Sequence, residues 1–274
     1  MFALLKISIL KEYRNKYTNQ FSWIGQVLTE LALLSVYWYT AKAFVPNLQF
    51  LDAKTDYFSF LVVGETSLLL PSLLITGFAR IFKSELQQGT LEPGLLASVS
   101  LSSSWLIQAL ALLIVESLRI FVVLALAFGL FHFQAVSFSS LAMILSLQML
   151  SLPFFAGIGM ISAALMMNFG RGDRLLPMLT TAMTVLAGAY FPPSVLPEKL
   201  QTGLQNLSPM SVLLGTTREL LKNDSSGLPS TEIWWHSSGF LAGGSVMFLL
   251  IGIVSLQLSV KRYRNHSQPL LFLS

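Results

Sequence analysis

Long uninterrupted apolar runs are the feature that most restricts how this chain can fold. A helix rises about 1.5 Å per residue and the hydrocarbon of a bilayer is about 30 Å thick, so roughly 18 apolar residues can span it. Six such runs predict an all-α integral membrane protein with six transmembrane helices. We place these helices at about 23–45, 57–79, 105–131, 141–167, 175–192 and 235–260.

The composition excludes several classes of protein. Only 11% of the residues are charged, far below the roughly 25% of soluble domains. The chain has no cysteine, which excludes disulfides and thiolate metal sites. It has no Gly-Lys dipeptide and therefore no P-loop for ATP, and no catalytic carboxylate or metal-ligand motif lies in a polar segment. We therefore predict that the chain is not an enzyme and holds no metal or cofactor.

The distribution of lysine and arginine predicts the orientation. Of the 17 basic residues, eleven lie in the segments on the N-terminal side of the membrane and five on the other side, while Arg119 lies within a span. By the positive-inside rule, both termini then lie in the cytosol. We predict a multi-pass protein of the plasma membrane. Because the basic residues are divided among loops, they predict contact with lipid headgroups and no nucleic-acid binding.

Residues 1–20 predict an interfacial helix. Phe2, Leu5, Ile9 and Tyr13 share one stripe at helical spacing, which is typical of a helix lying flat in the headgroup layer. Such a helix is either a membrane anchor alone or an anchor that also contacts a cytosolic partner.

The longest polar interruption in the first half of the chain is 81–98, with the sequence IFKSELQQGTLEPGLLAS. Its ions are costly in hydrocarbon, so we expect the segment to lie in water. Thr90 is a candidate N-cap for a short helix that begins at Leu91. We predict that 83–98 is a surface that a soluble partner pushes. The candidate contact residues are Glu85, Gln88, Gly89, Thr90, Leu91 and Glu92.

Ionisable residues inside the predicted spans are candidates for a pathway, because they are expensive in hydrocarbon. Glu116 and Arg119 are three residues apart, which predicts a pair that is either structural or in contact with cargo. Glu65 could face a cavity or bond to a neighbouring helix, and Glu30 lies in the first span. Nearby, Tyr37 and Trp38 fit either an aromatic belt or a surface on which cargo stacks.

Pro153, Gly157 and Gly159 in the fourth span predict a kink with close helix approach. The segment 193–222 is half apolar but is broken by Pro209, so neither half can span the bilayer. We predict that this segment is a re-entrant helical hairpin, and that it closes the outer end of a path through the membrane. Its candidate gate residues are Phe191, Pro192, Pro197, Pro209 and Arg218.

These features together resemble the permease subunit of ABC type-2 exporters. The resemblance lies in ELQQGTLEPGLLAS at 85–98, NFGRGD at 168–173, and GAYFPPSVLP at 188–197 followed by LSP at 207–209 and by Arg218. It covers most of the chain, which reads as a single transmembrane domain over 1–274. This chain departs from the family pattern at one place, because Pro93 and Gly94 interrupt the residues that follow Gly-Thr-Leu-Glu in family members. The resemblance makes 83–98 the coupling segment, and its helix is expected to be shorter or bent.

The resemblance implies a subunit that pairs with a second permease copy, as a homodimer, and with ABC ATPase subunits that bind ATP and Mg²⁺. Our leading hypothesis for the cargo is an amphipathic or lipid-linked molecule such as a drug-like metabolite, lipid or glycolipid. The sequence leaves two alternatives open: a polysaccharide exporter and, with less support, a membrane enzyme that acts on lipids. A purely structural membrane protein would not explain a capped helix between the second and third spans.

Overall fold

The computed structural model describes residues 5–10, 20–44, 57–91, 101–131, 137–169, 175–191, 197, 203, 208–226 and 231–266. Throughout these residues the regular structure is helical, which confirms the all-α prediction for this part of the chain. The main helices are α1 (Gln20–Phe44), α2 (Tyr57–Gln87), α3 (Leu101–Phe131), α4 (Phe138–Phe169), α5 (Leu175–Leu186), α6 (Pro209–Ser226) and α7 (Thr231–His266).

Four helices in the described ranges are long and apolar enough to cross a membrane, namely α2, α3, α4 and α7. The helix α1 is 25 residues long but falls outside this set. The helix α5 has 12 residues and is about 18 Å long, so it is shorter than the span predicted at 175–192. It ends because the chain turns at Gly188, whose φ is 85°. Glycine adopts this conformation readily, whereas other residues rarely do.

Two further boundaries differ from the sequence prediction. The helix α2 runs to Gln87, two turns past the predicted end, because Ile81 and Phe82 are buried in the core. The hydrophilic composition of 223–232 predicts an outer loop, but this segment is partly helical, since α6 continues to Ser226 and α7 begins at Thr231.

The predicted interfacial segment is helical over 5–10. Leu5 and Ile9 are half-buried, whereas Ile7 and Leu10 are 62% and 56% exposed, so the predicted stripe is the more protected face. Phe2 and Tyr13 lie outside the described residues, and the interfacial location stays a prediction.

The helices α4 and α7 pack with their backbones in contact. A Cβ atom at Gly252 would lie 2.6 Å from the carbonyl oxygen of Gly157, and one at Gly157 would lie 2.3 Å from the carbonyl oxygen of Phe248. Gly159 lies against α2 in the same way, because a Cβ atom added there would lie 2.2 Å from the carbonyl oxygen of Leu74. The predicted close approach at Gly157 and Gly159 is confirmed. Lipid is as apolar as the side chains, so tight packing must hold the helices together. Small residues allow such packing because they let the backbones approach closely.

Hydrogen bonds between helices reinforce this packing. The Ser245 hydroxyl donates to the carbonyl of Leu150 at 2.8 Å, and the Ser162 hydroxyl to that of Ile75 at 2.9 Å. Near the C-terminal ends of α4 and α7, the Asn168 amide donates to the Ser259 hydroxyl at 2.9 Å. Each bond joins two of the helices α2, α4 and α7, so these three helices form one fixed unit.

The helix α2 is the most enclosed of the four long apolar helices. In its most apolar stretch 78% of the residues are buried, against 22% in α7. It is in contact with α1, α3, α4, α5 and α6. The residues along α2 therefore face neighbouring helices on nearly every side.

We expect Gly252→Ala to lower the stability of the purified protein, because the added methyl group would overlap the Gly157 backbone. Overpacking of this kind costs about 1–3 kcal/mol. Thermal unfolding in detergent measures the change. Gly243→Ala is the matched control, since it lies in the same helix and its Cβ would meet nothing within 4 Å. Equal melting temperatures for the two variants would contradict the close contact.

Candidate functional site

An ion pair between α1 and α3 lies at the centre of the candidate site. The Arg119 Nε atom donates to Glu30 Oε1 at 2.5 Å, and Glu30 is buried. Because an unpaired ion inside a bilayer is costly, each residue stabilises the other. The sequence identified both residues but missed the pairing, since they are 89 positions apart and no local spacing relates them.

Glu116, the partner predicted for Arg119, lies one turn before it on α3 and is 4% exposed. The pairing of Glu116 with Arg119 stays a prediction. The two residues do line the same cleft, so they belong to one polar region.

Glu65 on α2 lies beside two tyrosines. The hydroxyls of Tyr37 on α1 and Tyr190 after α5 donate to Glu65 Oε2 over long distances of 3.4 and 3.5 Å. The Tyr57 hydroxyl in turn donates to the Tyr190 carbonyl at 3.0 Å. Of the two alternatives for Glu65, the structure favours bonding to neighbouring helices.

The aromatic residues of α1 divide by role. Tyr37 is 8% exposed and belongs to the polar cluster, whereas Tyr39 is 71% exposed, as a belt residue is. Trp38 packs edge-on against Phe58 at 5.4 Å between ring centroids and tilted against Phe131 at 5.7 Å. These contacts leave Tyr37 and Trp38 as parts of the helical packing, not of an open stacking surface.

A cleft of about 330 Å³ opens between α2, α3 and α5, and we call it the α2–α3–α5 cleft. Its lining combines charged, hydroxyl and apolar side chains. The lining residues are Leu69, Ser72, Leu73, Thr76, Arg80, Glu116, Arg119, Pro177, Thr180 and Thr181. Within the described residues no group of His, Cys, Asp or Glu could hold a metal ion.

Arg218 on α6 fastens the turn after α5 to α2. Its Nη1 atom donates to the Gly188 carbonyl at 2.7 Å, and its Nη2 atom to the carbonyls of Ala189 and Phe60 at 3.1 Å each. The guanidinium carbon lies 3.4 Å from the centroid of the Phe60 ring, a cation–π contact. Gly64 makes this possible, because a Cβ there would lie 2.4 Å from the Ala189 carbonyl oxygen.

The other predicted gate residues are placed less tightly. Phe191 is half-buried at the end of the turn, Pro197 is exposed, and Pro209 begins α6. Pro192 lies outside the described residues. The second half of the predicted hairpin is the buried helix α6, whose Met210, Leu213 and Leu214 belong to the main core. Of its first half, only Pro197 and Gly203 are described.

The predicted coupling segment begins where α2 ends. Gly89 has a φ of 66°, and the amide of Thr90 donates to the Glu85 carbonyl at 3.0 Å, which closes the helix. The Thr90 hydroxyl also donates to the Glu85 carbonyl, at 3.3 Å. Thr90 thus helps to end α2, while Leu91 is helical and 1% exposed in the main core. Glu92 lies outside the described residues.

The Glu85 carboxylate faces α3. Oε2 accepts a hydrogen bond from Trp105 Nε1 and Oε1 accepts one from Gln108 Nε2, both at 2.7 Å. The expectation that all of 81–98 lies in water is wrong for Ile81, Phe82 and Leu91, which are buried. Residues 88–90 are exposed, so they are the part of this turn that a partner could contact.

The fold and this site define a multi-pass helical membrane protein with a polar cluster inside its apolar body. The chain belongs to the ABC-2 type transporter family, whose model matches residues 1–221. This confirms the resemblance to an ABC type-2 permease that the sequence motifs indicated. A search of curated proteins found no match.

We expect Glu30→Gln and Arg119→Gln each to destabilise the protein more than the double variant, because a single change leaves the other ion unpaired. The coupling should be roughly 1–3 kcal/mol, below the range for fully buried pairs, since the Arg119 side chain is 39% exposed. A double-mutant cycle on thermal unfolding measures it. The same cycle with Glu116→Gln tests the predicted pair. Strictly additive losses for Glu30 and Arg119 would contradict the ion pair.

We expect Arg218→Lys to lower the melting temperature in detergent, because an ammonium group cannot reproduce the planar fork that reaches three carbonyls. Losing charge-assisted hydrogen bonds of this kind costs about 1.5–3 kcal/mol. The control is Glu219→Gln, the next residue on α6, whose side chain is exposed. A lysine variant as stable as this control would show that the guanidinium does not fasten the turn.

Proposed function

We propose that this chain is the permease subunit of an ATP-driven exporter that moves an amphipathic or lipid-linked molecule out of the cytosol or inner leaflet. The observation that carries the proposal is the α2–α3–α5 cleft, which offers ions and hydroxyls beside leucine and proline. A lining of both kinds suits cargo with a polar end and an apolar end. We place the protein in the plasma membrane with six spans and both termini in the cytosol.

Energy would come from a separate ABC ATPase subunit. The family is a transport family and the chain has no P-loop, which supports ATP and Mg²⁺ binding on a partner. The exposed turn at 88–90 is the proposed contact surface, together with Glu92 and the N-terminal helix. Because Glu85 bonds to Trp105 and Gln108, we propose that it transmits movement of this turn to α3.

A second permease copy would complete the path as a homodimer. Large apolar side chains on α1 and α3 remain exposed in the single chain, for example Leu28 at 59% and Phe121 at 71%. They support contact with lipid or with a second copy. In the dimer we propose that 193–222 closes the outer end, with Arg218 holding α6 to the turn after α5.

A polysaccharide exporter is less well supported. A sugar path needs aromatic rings on which the chain can stack, whereas Tyr37 and Trp38 are engaged in helix packing. The described lining residues of the α2–α3–α5 cleft include no aromatic ring. An amphipath needs only the lateral cleft.

The test is to co-purify the permease with a candidate P-loop ATPase encoded beside it and to measure ATP-dependent efflux of a fluorescent amphipath from proteoliposomes. We expect efflux and cargo-stimulated ATP hydrolysis in the complex. Glu85→Ala and the pair Trp105→Phe with Gln108→Leu should both uncouple hydrolysis from efflux while the subunits still assemble, because each breaks the same link to α3.

Two results would contradict these proposals. Failure of the permease to bind any such ATPase would overturn the assignment as an ABC subunit. Uncoupling by Glu85→Ala with normal coupling in the Trp105 and Gln108 variant would show that Glu85 contacts the ATPase directly and does not act through α3.

A further inference from the structure

One wall of the α2–α3–α5 cleft is a single stripe of α2. Leu69, Ser72, Leu73, Thr76 and Arg80 recur at intervals of three and four residues and therefore share one face of the helix. The stripe is about 16 Å long, at about 1.5 Å per residue. Its basic end, Arg80, is exposed and lies nearest the exposed turn at 88–90, whereas Leu69 is half-buried and Leu73 is buried. The wall thus changes from polar to apolar along its length.

The hydroxyl groups of the cleft are arranged mainly as acceptors. Ser72 donates to the Leu69 carbonyl at 2.9 Å, Thr76 to the Ser72 carbonyl at 3.0 Å, and Thr180 to the Leu176 carbonyl at 2.8 Å. These three hydroxyl hydrogens are used within their own helices, so the oxygen lone pairs of Ser72, Thr76 and Thr180 are what a ligand would meet. Such a lining matches a ligand that brings N–H or O–H donors.

The ions of the cleft have both signs. Arg80 and Arg119 present guanidinium groups, and Glu116 presents a carboxylate. Arg119 is also held by Glu30, which lies on α1. A ligand with only negative charge would meet the Glu116 carboxylate in a poorly solvated site, and one with only positive charge would meet the Arg80 guanidinium. A ligand that carries both charges can place each one beside a group of opposite sign, and a guanidinium suits phosphate geometry well.

We propose that the α2–α3–α5 cleft binds an amphipath with a zwitterionic headgroup, a phosphate ester bearing a primary ammonium. The phosphate lies against Arg80, the ammonium donates to Glu116 and the Ser and Thr oxygens, and the tail lies against Leu69, Leu73 and Pro177. This inference rests on the proposed function and narrows its cargo. It can fail while the complex still exports another amphipath, so the two are separable by experiment.

The experiment is lipid competition measured by native mass spectrometry on the full-length permease in detergent. The probes are phosphatidylethanolamine, phosphatidylcholine and phosphatidylglycerol with identical tails, together with glycerophosphoethanolamine, which has no tails. We expect phosphatidylethanolamine to bind roughly tenfold more tightly than the other two lipids, the effect of about one charge-assisted hydrogen bond. The compound without tails should bind at least as weakly as they do.

Three variants assign the binding to this cleft. Glu116→Gln should remove the preference for phosphatidylethanolamine over phosphatidylglycerol, whereas Arg80→Gln should weaken all three phosphate lipids. Thr76→Val keeps the side-chain shape, removes one acceptor and should reduce the preference severalfold even if Glu116→Gln fails to fold. Lys261→Gln is the control, because this basic residue is exposed on α7 and is not among the lining residues of the cleft.

Other results would overturn the proposal. Equal binding of the three lipids by the unaltered protein would show that the cleft does not read the headgroup. Unchanged preference in both Glu116→Gln and Thr76→Val would place the preference elsewhere on the protein. Tight binding of glycerophosphoethanolamine would indicate a site for free phosphate esters and not for an amphipath.

Discussion

The contact between the backbones of α4 and α7 is the interaction on which the remaining structure depends. Burying apolar side chains gains little in lipid, so helices associate through close packing and hydrogen bonds. Gly157 and Gly252 remove the side chains that would separate the two helices, and Gly159 lets α2 approach the same surface. With α2, α4 and α7 packed together, the helices α3, α5 and α6 pack around α2.

Side-chain hydrogen bonds hold α2 near both of its ends. Arg218 binds the Phe60 carbonyl near the start of the helix, and the Glu85 carboxylate accepts from Trp105 and Gln108 near its end. Between these two ends of α2 lie Glu65, which accepts a hydrogen bond from Tyr37, and the α2–α3–α5 cleft. A displacement of the turn at 88–90 would therefore reach the cleft through α3, to which Glu85 is bonded. This geometry connects the proposed ATPase contact to the proposed cargo site.

The polar residues inside the bundle show how a membrane protein keeps ions stable. Glu30 and Arg119 neutralise each other, Glu65 accepts from two tyrosines, and Arg218 is surrounded by carbonyls and the face of Phe60. Each group has found a partner on a different helix. The same contacts that stabilise these groups also fix the relative positions of α1, α2, α3 and α6, so polar satisfaction and helix packing are here one constraint.

The sequence by itself determined the fold class, the four long apolar helices and the small-residue contact at Gly157 and Gly159, because each depends on local composition or helical spacing. It also identified Glu30, Glu65, Glu116 and Arg119 as exceptional, since ions are rare in apolar runs, and Arg218 as a candidate gate residue. Only the tertiary structure decided the partners: Arg119 with Glu30, Glu85 with Trp105 and Gln108, and Arg218 with the turn after α5. These partners lie 20 to 89 residues apart. Helical spacing relates only residues within a turn or two, and distant pairing is set by how whole helices pack.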